Sequence, residues 1–142
     1  MPDLSQRLLT AGMLLFLFGL LSGLVIAEMP NSRMGLAAHL EGVMNGTFLL
    51  AAGLVWKRMS LTSFQERLAY WLLLYGSFAN FVLIQSASVL GTSELTPIAG
   101  KGHTGSEIAE LLVSAGLASV ALTMITAVIL MLIGLVRYEN QD

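Results

Sequence analysis

Residues 37–46 read AAHLEGVMNG and bring His39, Glu41 and Asn45 together at the start of a stretch that is otherwise apolar. Each side chain has its own chemistry. An imidazole ligates metals through a neutral ring nitrogen. A carboxylate moves protons when it lies within reach of a reacting atom. An amide in hydrocarbon has to find a partner, because leaving one unpaired costs roughly 2–7 kcal/mol. Two more amides, Asn80 and Gln85, lie in a later apolar stretch, and a second histidine, His103, follows in a polar connection.

At about 100° per residue, His39, Gly42, Gly46 and Gly53 share one stripe of a helix, while Glu41 and Asn45 share a neighbouring edge. The stripe predicts a histidine looking onto a surface with no side-chain bulk. A flat cofactor could lie against Gly42 and Gly46 there, with His39 on its metal. The competing reading has His39 and Glu41 near a helix start, reaching toward interfacial water. Asn45 is more than two turns into the stretch, and Asn80 is near the middle of its own. Both are expected to bond across helices or to face a polar cavity, and interhelical bonding alone is the plainer alternative. His103 falls on the same side as His39, so two histidines near opposite membrane faces are not implied. It reads as a solvated loop residue or as part of the mouth of a site.

The elements that position these residues are legible from composition. The chain has 142 residues, 56% hydrophobic and 11% charged, with a mean hydropathy of +0.78. Soluble domains carry about twice that charged share. The expectation is an all-α integral membrane protein, a single four-helix transmembrane bundle over residues 1–142. Apolar stretches at 8–27, 36–56, 68–90 and 108–136 each suffice for a bilayer core, which takes about 20 residues. Pro30 and Pro97 fall in the connections, where helix breakers belong. The first stretch is too long for a typical signal-peptide core and is read as a span. Arg7, Lys57, Arg58, Arg67 and Arg137 fall on one side of this layout, and Arg33 and Lys101 on the other. That asymmetry places both termini in the cytoplasm. A net charge of -2 gives no reason to expect a nucleic-acid partner, and the absence of cysteine excludes disulfides and thiolate metal sites. The glycine pairs Gly19/Gly23 and Gly42/Gly46 are read first as helix-packing positions.

AHLEGVMNG, YGSFAN at 75–80 and TPIAGKGHTG at 96–105 resemble the hydroxylaminobenzene mutase family, small bacterial membrane proteins. More distantly, A-H-x-x-G-x-x-N-G and the A-N of the third span are similar to styrene oxide isomerase. That resemblance implies a homotrimer holding haem b between protomers, with His39 as the axial iron ligand and Asn45 beside the substrate. It also implies a ferric iron acting as a Lewis acid. The epoxide isomerases place a catalytic tyrosine four residues after the third-span asparagine, where this chain has Ile84 with Gln85 beside it. Tyr75 lies on the other side of Asn80 and is a poor substitute.

The expected function is therefore an isomerase of the bacterial inner membrane, in aromatic-compound degradation, that rearranges an arylhydroxylamine to 2-aminophenol. Asn45 and Asn80 would hydrogen-bond the small aromatic substrate, and Glu41 would carry the proton lost from the ring. The plainer reading of Glu41 is a partner behind His39 or an interfacial carboxylate. Gln85, Ile84 and His103 are expected to border the pocket. An aryl-epoxide isomerase, or a small transporter using Glu41 as its proton-coupling carboxylate, are the alternatives.

Overall fold

A computed structural model describes residues 3–139. Helix α1 spans Leu4–Gly23, α2 Ser32–Val55, α3 Ser63–Leu90, the short α4 Pro97–Gly100, and α5 Glu107–Glu139. Four of these, α1, α2, α3 and α5, are long and apolar enough to cross a membrane. The chain is an all-α membrane protein, and no strand occurs among the described residues. The chain ends lie outside them. We call the end of the bundle near residues 3 and 139 the terminal end, and the end bearing residues 91–106 the distal end.

The helices begin before the apolar stretches do, because polar caps start them. Asn31 accepts the Met34 N–H at 3.1 Å and opens α2. Thr62 and Gln65 form a reciprocal capping box that opens α3, satisfying amides that a helix start leaves unpaired. Gly91, at φ 74°, ends α3 in the left-handed conformation that only glycine adopts without strain. The first helix stops at Gly23, four residues short of the apolar stretch, and a 3-10 turn over Ile26–Glu28 carries the chain across. The four-residue α4 lies in what reads as a polar connection. At 1.5 Å per residue the 33 residues of α5 reach about 50 Å, more than a hydrocarbon core of about 30 Å, so α5 tilts or extends beyond it.

The spans pack in series, α1 on α2, α2 on α3 and α3 on α5. The α1–α2 contact is the tightest. A Cβ on Gly19 would stand 2.5 Å from the Val43 nitrogen, and one on Gly46 2.5 Å from the Phe16 nitrogen. Gly19, Gly42 and Gly46 are therefore backbone-to-backbone contacts, while Gly23 makes room for the His39 ring, as expected where lipid supplies no hydrophobic drive for association. Leu8, Leu15, Leu49, Trp56, Tyr70, Leu73 and Met131 fill the terminal half of the core. There Trp56 donates its indole N–H to Glu66 at 3.0 Å. On the surface nearby, Lys57 bonds Asp3 at 3.0 Å and holds that carboxyl below its ordinary value. Exposed pairs of this kind contribute little to stability.

Gly19→Ala is expected to destabilise the detergent-solubilised protein by about 1–3 kcal/mol, since backbone cannot give way as a side chain can. Thermal unfolding should show a lowered Tm for Gly19→Ala and none for Ala115→Ser on the exposed face of α5.

Candidate functional site

Helix α2 divides its polar residues between two neighbours. Its glycine stripe turns toward α1 and carries His39 with it. The ring lies over Gly23, where an added Cβ would stand 2.7 Å from Nδ1. His39 Nδ1 is 2.8 Å from the Gly19 carbonyl oxygen. A carbonyl only accepts, so Nδ1–H donates, and the tautomer is set. Nε2, which carries the lone pair in the neutral ring, takes no hydrogen bond from the described residues. A hydrogen bond behind one ring nitrogen that leaves the other free is the usual arrangement of a ligating histidine.

Two residues on, about 200° around the helix, Glu41 faces α3. Its Oε2 accepts Asn45 Nδ2 at 3.1 Å and Asn80 Nδ2 at 2.6 Å. One amide comes from the next turn of α2 and the other from across the seam, so the carboxylate ties the two helices together. Both bonds have the amide NH2 as donor and the carboxyl oxygen as acceptor, and this orients both amides. Their NH2 groups turn inward, and their carbonyl oxygens, with Glu41 Oε1, take no hydrogen bond from the described residues. None of these three oxygens is sealed in the interior. The seam thus presents a cluster of acceptors. All three residues are half-buried.

The expected glycine platform is corrected by this geometry. Gly42 and Gly46 do share a face with His39, but that face is filled. A Cβ on Gly42 would meet the Gly19 Cα at 2.5 Å and the Phe81 ring at 3.0 Å. No flat group fits between α2 and α1, and the two glycines serve helix packing.

The expected pocket borders also disperse. Ile84 is 5% exposed and packs with Met34, Ala38, Ala87 and Val113. Gln85 points away from the cluster and donates to the Met29 sulfur at 3.5 Å. His103 belongs to the loop, its N–H bonding Gly100 and its carbonyl accepting the Ser93 hydroxyl at 2.8 Å. Tyr75 pairs with Ser119 of α5 at 2.7 Å and does not reach the cluster. Reading the sequence did not pair Glu41 with Asn80, and it missed Asn31. The latter caps α2 and also donates to the Ala99 carbonyl at 3.2 Å. A polar residue following Pro30 just ahead of an apolar run was the available signal.

Four spanning helices with a carboxylate–amide cluster in one seam and a singly committed histidine in another define a membrane protein with a polar site built between its spans. Comparison with known proteins places it further. The family described as styrene oxide isomerase matches residues 4–136, and the chain belongs to that family. It is 43% identical to hydroxylaminobenzene mutase HabB of Ectopseudomonas oleovorans, over 93% of this chain and 81% of that protein. It is 39% identical to hydroxylaminobenzene mutase HabA of the same organism, over 92% of this chain and 97% of that one. No solved structure gives a significant match. The relatives are isomerases and mutases, and this chain is an isomerase.

Because Asn45 and Asn80 share one acceptor, their removal should not be additive. In a double-mutant cycle with Asn45→Ala and Asn80→Ala, unfolding free energies should show coupling of about 0.5–3 kcal/mol. Additivity within error would mean the amides do not share Glu41.

Proposed function

We propose that the protein is an arylhydroxylamine mutase that rearranges hydroxylaminobenzene to 2-aminophenol. The observation that carries this reading is the acceptor character of the Glu41 cluster. Hydroxylaminobenzene has an N–H and an O–H to donate, and Glu41 Oε1 and the two amide oxygens are acceptors. An epoxide has no donor, so the same cluster gives it no hydrogen bond while the amides remain turned inward. Ile84 adds to the case, since a buried aliphatic side chain stands where the epoxide isomerases place a phenol. The identities with two hydroxylaminobenzene mutases point the same way.

In the proposed reaction the N–O bond breaks, a C–O bond forms at the neighbouring ring carbon, and the proton leaving that carbon ends on nitrogen. Substrate and product are isomers, and no external oxidant or reductant is needed. Asn45 and Asn80 accept from the hydroxylamine and fix its orientation against the ring. Glu41 takes the ring proton and returns it to nitrogen, a short transfer by one positioned carboxylate.

The residues fit a haem b as cofactor in one respect, the open Nε2 of His39 held by the Gly19 carbonyl behind it. Among the described residues no three of His, Cys, Asp and Glu converge. A single histidine therefore suits a metal whose other positions its own macrocycle fills, and a bare ion would lack ligands. Bound there, a ferric haem would supply Lewis-acid stabilisation of charge on the departing oxygen, worth several kcal/mol. Since α1 covers Gly42 and Gly46, such a group would lie beyond the surface of one chain. This supports a site completed by a second copy of the chain, and the resemblance to styrene oxide isomerase makes that assembly a homotrimer in our reading. Within the proposed bacterial inner membrane, the distribution of Arg and Lys supports both termini in the cytoplasm. An apolar aromatic substrate would reach the site by partitioning into lipid.

The test is the product and the visible spectrum of the detergent-purified protein beside its His39→Ala variant. Hydroxylaminobenzene should give 2-aminophenol, and styrene oxide should give no aldehyde. A haem band should be present in the wild type and lost in the variant. A folded, colourless and fully active wild type would sink the haem reading alone. Aldehyde from styrene oxide without aminophenol would sink the mutase.

A further inference from the structure

The distal loop, residues 91–106, is more strongly tied than a surface connection needs to be. Glu110, in the first turn of α5, accepts from backbone at both ends of the loop. Ser93 N–H lies 3.0 and 3.1 Å from its two oxygens, Glu94 N–H 3.1 Å from Oε2, and Gly105 N–H 2.9 Å from Oε1. Backbone amides gathered on one carboxylate form the anion-binding concavity that turns elsewhere use for ligands. Here the helix supplies its own anion. The Ser93 hydroxyl closes the neck on the His103 carbonyl. Gly91 and Gly102, both at positive φ, give the chain its two sharp reversals.

What the loop covers is the end of the α2–α3 seam. Ala99 of α4 packs onto the layer of Met34, Ala38, Ile84, Ala87 and Val113. Asn31 holds the Ala99 carbonyl in place at 3.2 Å, and its own N–H bonds the Ser88 carbonyl at 3.1 Å. Ala38 is three residues from Glu41 and Ile84 four from Asn80, so this layer lies about 5–6 Å along the helix axes from the cluster. The loop packs on the distal side of this layer through Ala99.

We propose that Glu110 is a positioning residue that keeps the 91–106 loop shut as a lid over the distal end of the α2–α3 seam. It holds the loop through backbone amides and touches no substrate. It acts by keeping Ala99 seated on the layer that contains Ala38 and Ile84, so that water does not reach Glu41 from that end. Glutamine in its place offers one acceptor oxygen and turns an NH2 group toward amides that also donate. Aspartate keeps both acceptors on a shorter arm.

The chain has no cysteine, so a single reporter can be introduced. Ala38 is fully buried. Ala38→Cys should be labelled slowly by a water-soluble maleimide, and at least about tenfold faster when combined with Glu110→Gln, as expected for local opening. Glu110→Asp should restore much of the protection. Backbone amide exchange over 92–105, measured without the cysteine, should accelerate in Glu110→Gln while α1 and the terminal half of α2 stay unchanged. Unchanged labelling and exchange would overturn the proposal, as would acceleration spread over all the helices. A kinetic arm rests on the mutase reading. There Glu110→Gln should raise KM for hydroxylaminobenzene about tenfold and leave kcat within about threefold, the pattern of lost uniform binding. A fall in kcat with KM unchanged would contradict the lid. Labelling and exchange decide the proposal even if the mutase reading fails.

Discussion

The backbone contact between α1 and α2 sets the rotation of α2, and the two candidate sites depend on that rotation. Gly19 against Gly42 and Phe16 against Gly46 leave no room for any side chain. With that face fixed, His39 has to meet the Gly19 carbonyl, and Glu41, about 200° away, has to meet α3. One helix therefore presents a prospective ligand on one side and an acceptor cluster on the other. Neither could be moved to its neighbour's side without separating α1 from α2. The hydrogen bonds that follow are consequences of the packing, and they reinforce it. Asn80 reaches Glu41 across the seam, and the Gly19 carbonyl sets the histidine tautomer.

Polar groups within a membrane persist where partners offset the cost of burying them. The Glu41 cluster shows how three residues divide that task. Two amide donors on one carboxylate oxygen satisfy the inward-facing groups, while the second carboxylate oxygen and both carbonyls take no hydrogen bond from the described residues. The surplus of acceptors follows from the acceptor-only character of an ionised carboxylate. A neutral glutamine at position 41 could present its own NH2 and allow the asparagines to turn over. In the proposed reaction an ionised Glu41 would bear on specificity as well as on proton transfer, since it would decide which face of each amide the substrate meets.

Much of the fold was legible in the sequence. Apolar length gave the four spans, and the GxxxG spacings gave the packing positions of α1 and α2. The helix starts were less visible, because Asn31 and Thr62 cap from outside the apolar stretches. Within the site, helical periodicity placed His39 with the glycines and Glu41 with Asn45, and both groupings hold in three dimensions. Periodicity could not say which neighbour each face meets. The glycine face therefore read as a cofactor platform when it is the α1 contact. The Glu41–Asn80 bond joins residues 39 apart in sequence and depends on the register of α2 against α3, which local pattern does not encode. For the same reason Ile84 and Gln85 read as pocket borders, although one is core and the other faces Met29. Glu110 gave no signal, because what it binds is backbone.

The central claim is that the Glu41–Asn45–Asn80 cluster is where substrate reacts. The most direct measurement is turnover of hydroxylaminobenzene by purified Asn80→Leu, with folding verified by its helical circular dichroism and Tm. Leucine fills the seam but offers no acceptor to substrate and no donor to Glu41. A loss of at least about 100-fold in kcat is expected, the scale on which misplaced substrate and a displaced Glu41 cost rate, in a protein that remains folded. Near-wild-type turnover in a folded Asn80→Leu protein would place the chemistry elsewhere and leave the cluster as a clasp between two helices.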